Sequence, residues 1–436
     1  MLTITTWLFV IATLLCALAP NANVLIVMRA LQGLGGAALL SLPVAVLIQM
    51  LPEEADHEDT IKVFSTVAGA GGIAGPIIGG ILVHFWGWPS VFYFSVVMGI
   101  AVLVTISYAT ESQRDPSMRF DGLGQFLSIL ALVAVSFALI EGNTQGWRSP
   151  IIIAAFTVFA VGLGLFIAVE RRIPKPMVHL RYFSSRAFVV GLLMVGINNF
   201  LFYGILLLCT ALLQNVQQIS PVAAGFYLMP ANLAFFMVNQ YSEQFEKMLG
   251  ERLLIFAAWV FLIVGILWLA ILGREAPAWE VAAGLFVLGI GFGLIWTPAC
   301  AFSMEACNAE DQGFASGAIA LTRSFFGVLG IAILGSLLAA AMARSIGAEL
   351  DDVNASAAVQ QTVTAAVQHG GAFALAQRGI DGISQSMLMR IVEQSFTRGW
   401  HIAMLFAGAF TLLVGIVVYI FIPERKPEPA DAAVSS

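Results

Sequence analysis

Two arginines, Arg29 and Arg323, stand inside long apolar stretches of this chain and limit the chemistry open to it. A guanidinium keeps its charge in any protein setting, and within hydrocarbon it must face water or a partner or cost about 3 kcal/mol or more. Arg29 sits about five residues into its stretch, roughly 7 to 8 Å deep at 1.5 Å per residue, so it can either serve a site or snorkel to the near interface. Arg323 lies ten residues in, about 15 Å deep, and either faces a pathway or holds backbone carbonyls of a neighbouring helix. Both are candidates for coupling charge movement. The carboxylates are shallow: Glu141 falls at a helix end, and Glu305 and Asp311 flank a connection. Asn198 and Asn199 are polar groups in mid-stretch, able to hydrogen-bond a substrate or to tie one helix to another. Gly71, Gly75 and Gly79 recur every four residues on one helix face, where another backbone can approach closely. Pro76 between them removes one amide donor and crowds the Gly72 carbonyl, which predicts a bend; Gly80 closes the run.

Other chemistries find no residues. Cys16, Cys209, Cys300 and Cys307 have neither metal-ligand spacing nor a disulfide pattern, and are read as apolar packing. No glycine-rich run is followed by a phosphate-binding lysine, so neither a nucleotide nor another cofactor is expected, and no metal. The expectation is a protein that is not an enzyme and draws its energy from an ion gradient.

The elements that position these residues follow from composition. Hydrophobic residues make up 59% of the 436 and charged residues 11%, against roughly half and a quarter in a soluble domain. Apolar runs near the length that spans a bilayer, about 20 residues, occur at 2–19, 24–48, 61–83, 91–108, 122–140, 151–169, 187–213, 222–239, 253–272, 279–299, 313–343 and 400–422. They predict an all-α integral membrane protein with about twelve transmembrane helices. With both termini cytoplasmic, one set of connections holds twelve Lys and Arg residues, while the short connections opposite hold only Arg148 and Arg274. Trp86, Trp88, Trp147, Trp279 and Trp400 then fall at outer boundaries, as an aromatic belt should. Residues 344–399 form the longest non-spanning stretch, expected outside as a linker or a short surface helix using Ile380, Ile383, Met387, Ile391 and Phe396. The tail 423–436 is expected to be disordered and cytoplasmic.

A gapless echo organises the runs. Shifting the chain by 255 residues lays Gly36 on Gly291, Pro43 on Pro298, Asp56 on Asp311, Gly72 on Gly327, Gly75 on Gly330 and Gly80 on Gly335, while Pro76 falls on Ile331. Two pseudo-symmetric bundles are implied, as in secondary transporters that rock about a shared midplane site. The offset predicts an incomplete four-span N-terminal bundle at 1–108, two extra spans and a loop at 109–186, and a six-helix C-terminal bundle at 187–422. Two helices are then expected before Met1. A plain six-plus-six division near residue 170 is the alternative.

These motifs resemble a known family. The stretch from Gly71 through Gly75-Pro76 to Gly79-Gly80 resembles the antiporter motif of major facilitator drug:proton exporters. Arg29, followed by Gln32, Gly33, Gly35 and Gly36, resembles their fourth-helix motif, whose arginine the family links to proton transfer and whose Gln32, Gly33 and Gly36 would pack helices. Phe120-Asp121 with Gly124, Gly146-Trp147, and the stretch from Pro174 to Phe183 resemble the fourteen-helix branch, which begins with two further helices carrying an intramembrane aspartate and a charged cytoplasmic loop. The resemblance implies a major facilitator fold and proton-coupled export, by alternating access, of hydrophobic or amphipathic small molecules (multidrug efflux) across a bacterial inner membrane. Wide apolar walls with many Phe and Met suit lipophilic cargo. Protons, a small lipophilic substrate and the lipid bilayer are the implied partners, with a periplasmic adaptor as an optional one and no nucleic acid. A solute uptake permease, or a truncated membrane protein that does not transport, are the competing readings.

Overall fold

The computed structural model describes residues 2–50, 54–107, 122–173, 179–308, 311–353, 355–368, 371–380 and 382–422. The tail from Pro423, the linker 108–121 and residues 174–178 of the Pro174 motif lie outside the described residues. Among the described residues the chain is helical, with one isolated bridge between Ile380 and Ile383. The helices are α1 (Leu2–Ala17), α2 (Ala22–Met50), α3 (Glu54–Trp86), α4 (Pro89–Ile106), α5 (Gly122–Gln145), α6 (Pro150–Glu170), α7 (Arg186–Ala211) and α8 (Pro221–Gln240). They continue with α9 (Ser242–Leu249), α10 (Glu251–Ile271), α11 (Ala278–Glu305), α12 (Gln312–Asp352), α13 (Ala357–Gln368), α14 (Ala372–Arg378) and α15 (Gln385–Phe421). Ten of them are long and apolar enough to cross a bilayer among the described residues, and α1 is a shorter apolar helix. Continuous helix is the form that satisfies every backbone amide and carbonyl within lipid.

Two compact units divide the chain: residues 1–119 with 218–232, and residues 120–217 with 233–436. The division falls inside α8. In the first unit, α1 packs on α2 and α4. Here α3 turns into α4 through Gly87, whose φ of +77° is natural only for glycine. The Ser90 hydroxyl closes this turn by donating to the Gly87 carbonyl at 2.6 Å.

In the second unit, α7 is the central helix. It is largely apolar and largely buried, with Phe188, Met194, Ile197, Phe200, Leu201, Ile205 and Leu208 all at or below 2% exposure, while Tyr203 and Leu207 are exposed. Lipid removes most of the hydrophobic drive between helices, so close backbone packing carries the association. A Cβ added at Gly204 of α7 would stand 2.8 Å from the Gly330 carbonyl oxygen of α12. The α5–α6 hairpin packs through Gly162 on Ala131 and is held to α12 by Ser336, whose hydroxyl donates to the Leu139 carbonyl at 3.2 Å. Start signals are local: the Ser149 hydroxyl accepts the Ile152 amide ahead of α6, with Pro150 at its first turn, and Ser384 does the same for Met387 ahead of α15.

The stretch 344–399 differs from the expected linker. α12 runs unbroken to Asp352 and α15 begins at Gln385, joined by α13 and α14. Ile391 and Phe396 are buried rather than lying on a surface, and Met387 is exposed. The two extensions hold each other: Arg398 pairs with Glu349 at 3.0 Å and donates to the Ser345 hydroxyl at 2.8 Å, while the Ser395 hydroxyl donates to Ser345 at 3.0 Å. Arg274 pairs with Glu393 at 2.9 Å. An apolar run marks only where lipid would end; the helix goes on because Ala-rich polar sequence keeps its propensity and finds a partner helix.

Candidate functional site

Arg29 is held by a relay across two helices of the first unit. Its Nη1 donates to Gln32 Oε1 at 2.6 Å, one turn along α2, and Gln32 Nε2 donates to the Thr13 hydroxyl of α1 at 2.8 Å. Thr13 in turn donates to the Phe9 carbonyl of its own helix at 2.5 Å. Gln32 and Thr13 are buried, while Arg29 is exposed, with its guanidinium carbon 5.9 Å from the centre of the Phe92 ring. The amide therefore fixes which way the guanidinium points. Its own helix partner was expected to pack helices; its bond to Thr13 was not foreseen. A hydroxyl in an apolar run was the available signal.

The helix crossing beneath this relay is made by a neighbouring glycine. A Cβ at Gly35 would meet the backbone of Phe9 at 2.6 Å, whereas Gly36 faces the Phe9 ring at 3.5 Å and Gly33 has nothing within 4 Å.

The glycine-proline segment of α3 closes on the start of α8, also within the first unit. A Cβ at Gly80 would stand 3.0 Å from the Pro221 carbonyl carbon, and one at Gly225 would stand 2.9 Å from the Pro76 carbonyl carbon. Gly72 faces Asn232 Oδ1 at 3.8 Å. Gly71, Gly75 and Gly79 have nothing within 4 Å, so the contact runs along the adjacent face of the helix. Pro76 lies inside α3 and leaves the Gly72 carbonyl without its usual amide partner.

In the second unit, Arg323 is exposed on α12, with its guanidinium carbon 6.0 Å from the centre of the Trp296 ring on α11. Phe235 of α8 meets Trp296 edge to face, ring centres 6.2 Å apart. The Thr297 hydroxyl donates to Asn239 Oδ1 at 3.0 Å and accepts from Ser242 at 2.7 Å, which joins α8, α9 and α11. Asn198 and Asn199 lie elsewhere. The Asn198 amide donates to the Phe292 carbonyl of α11 at 3.0 Å, and Asn199 donates to Val195 of its own helix at 2.9 Å. Both are at or below 5% exposure, so in this conformation the Asn198 amide ties α7 to α11 and the Asn199 amide is taken up within α7.

One cluster joins two features the sequence named separately, Asp311 and the stretch from Pro174 to Phe183. Ahead of α12, Asp311 accepts from the Tyr182 hydroxyl at 2.6 Å, pairs with Arg181, and has His179 Nε2 at 3.5 Å. The Tyr182 hydrogen bond first, then Arg181 and His179, hold its carboxyl below the usual carboxylate range against the opposing effect of burial. Tyr182, Phe314 and Phe188 stack beneath it, so the segment leading into α7 is tied to the start of α12.

Comparison with known proteins agrees with these features. The profile of the Major Facilitator Superfamily matches residues 1–331. The multidrug resistance protein Stp of Mycobacterium tuberculosis is 33% identical over 422 residues, covering 96% of this chain and 78% of that protein. The drug efflux pump JefA of the same organism is 28% identical over 419 residues, covering 94% and 82%. The methylenomycin A resistance protein of Streptomyces coelicolor is 29% identical over 333 residues, covering 76% and 70%. In fold, the chain is similar to a bacterial homologue of the human lysosomal transporter Spinster in its inward-facing, unoccupied conformation, with a TM-score of 0.60 over 98% of this chain and 84% of that one at 15% identity. Long apolar helices, the glycine-proline helix and the matched profile together place this chain in the Major Facilitator Superfamily as a multi-pass membrane protein.

Proposed function

We propose that the chain exports lipophilic or amphipathic small molecules from a bacterial cell in exchange for protons, by alternating access across the plasma membrane. The observation that carries the reading is the α3–α8 crossing, where Gly80 and Gly225 leave no room for a Cβ. Such a crossing is backbone-tight, which suits a seal that must not leak protons while the pathway is closed to one side. The relatives named for drug resistance and efflux support the direction of transport, and the asymmetry of Lys and Arg residues supports cytoplasmic termini.

The arginines act as fixed charges in this mechanism. A guanidinium does not release its proton at physiological pH, so Arg29 and Arg323 bias where a proton or a charged cargo rests rather than carrying protons themselves. Gln32 is a positioning residue for Arg29, because it holds the guanidinium from one side and is anchored to Thr13 on the other.

The test uses purified protein in liposomes with an imposed pH gradient and a lipophilic dye whose fluorescence reports movement. Export coupled to protons predicts dye movement that follows the gradient and collapses when an ionophore dissipates it. Movement no faster than in empty liposomes overturns the reading, and movement in the same direction as protons selects an uptake permease instead.

A further inference from the structure

We infer that the Arg323–Trp296 plate of the second unit binds the acidic group of an amphipathic cargo, so that lipophilic acids are preferred over lipophilic cations. The inference deepens the export reading above and rests on it for its physiological meaning, though the binding itself can be measured without transport.

The sign of the charge along the spans comes first. The twelve apolar runs contain one carboxylate, Glu280, one residue from the start of its run, against the deeper Arg29 and Arg323. The charge fixed deepest in these runs is positive. A lipophilic ammonium would be repelled there, and a carboxylate, sulfonate or phosphate attracted, with the interaction strengthened by low dielectric.

The state of Arg323 comes second. Among the described residues no carboxylate pairs with it and no oxygen accepts from it; its ring contact is Trp296. A ring face offsets part of the cost of desolvating the cation, yet leaves the five N–H donors of the guanidinium without an acceptor. Those donors form a planar fork that matches two oxygens of one acid group. An exposed arginine about 15 Å along a spanning helix, on an aromatic support and without an anion, is arranged to receive one.

The surroundings suit the rest of such a molecule. Trp296 and Phe235 present ring surface for an apolar body, and the Asn239 amide nitrogen makes no bond among the described residues, although its oxygen is taken by Thr297. An acid group on Arg323 with an aromatic body against Trp296 would use both.

The experiment compares a matched pair of probes, pyrenebutanoate and a pyrenealkyl ammonium, binding to the full chain in phosphatidylcholine nanodiscs at neutral pH. The expected result is affinity for the carboxylate about tenfold or more above that for the ammonium, a difference of about 1.4 kcal/mol. Arg323→Gln should remove most of that preference by weakening the carboxylate, and Arg323→Lys should keep part of it, since the charge stays and the fork is lost. Equal affinities, a preference for the ammonium, or an unchanged ratio in Arg323→Gln overturns the inference. If the Gln variant does not fold, the ratio in the wild type and in Arg323→Lys still decides. An arm with added phosphatidylglycerol separates cargo from lipid: loss of all carboxylate binding there would assign the site to a lipid headgroup and overturn the cargo. Proton-driven movement of both probes in liposomes keeps the two readings apart. Transport of the ammonium alone sinks the acid preference and leaves export standing, whereas transport of neither sinks export and leaves the binding ratio to judge the site.

Discussion

Alanine at Gly80 should harm this protein more than alanine at Gly75, although the two glycines belong to one motif. The new methyl at position 80 would press on the Pro221 carbonyl and come within 3.1 Å of Val222 Cα, all backbone that cannot swing aside. Overpacking of this kind costs about 1 to 3 kcal/mol, and replacing a helical glycine recovers up to about 1 kcal/mol. The net for Gly80→Ala is a loss of between about 0 and 3 kcal/mol from the closed crossing, and a loss of about 2 kcal/mol would shift its equilibrium roughly 30-fold. At Gly75 nothing lies within 4 Å, so Gly75→Ala should gain up to about 1 kcal/mol of helix stability. The assay is passive proton leak into liposomes under an acid-outside gradient, with thermal unfolding in detergent followed in parallel. Gly80→Ala should leak faster than wild type, and Gly75→Ala should match it. If Gly75→Ala leaks more, or Gly80→Ala leaks no more than wild type while folded, the assignment of the seal to the Pro76–Gly80 face of α3 is wrong.

Three further outcomes follow from the geometry. Gln32→Leu removes a charge-assisted hydrogen bond to Arg29 and an interhelical bond to Thr13, so it should destabilise by about 1 to 3 kcal/mol and slow proton-coupled transport, whereas Gly33→Ala, with open space around it, should leave both unchanged. Asn198→Leu breaks one helix-to-helix bond, to Phe292, and should cost roughly 0.6 to 1.7 kcal/mol in thermal stability with substrate preference intact; a changed preference would place Asn198 on the substrate path. For Asp311, whose carboxyl titrates below its ordinary value of 3.8, the sign is that of a depressed acid: the tether to Tyr182 contributes in full above that value and is lost as pH falls through the lower folded value. Protease cleavage within 179–188 should therefore stay slow at mildly acid pH and rise only in stronger acid, while Asp311→Asn should show fast cleavage throughout.

Much of the architecture was legible from residues alone because lipid leaves few options. A segment of about 20 apolar residues must be helical to satisfy its backbone, and each of the twelve runs meets a helix in the structure. The motif glycines were legible as close-approach positions, but not which of them would touch. Periodicity puts Gly71, Gly75 and Gly79 on one face; choosing between that face and the one bearing Gly80 requires knowing where α8 begins, since Pro221 is 141 residues away in the chain. The same reason hid the relay from Arg29: Gln32 is three residues along, within reach of local pattern, but Thr13 joins it only because α1 and α2 cross at Gly35.

Composition and run length determined by themselves that this chain is a multi-helical membrane protein, because transfer of apolar side chains and satisfaction of backbone hydrogen bonds depend on local sequence. Only the tertiary structure decided that 344–399 continues two helices, that Asn198 is bonded to α11, that Tyr182 and Asp311 meet, and that Arg323 rests on Trp296. Each contact among these joins residues of separate elements, and such side chains are placed by the partner they find across an interface rather than by their neighbours in sequence.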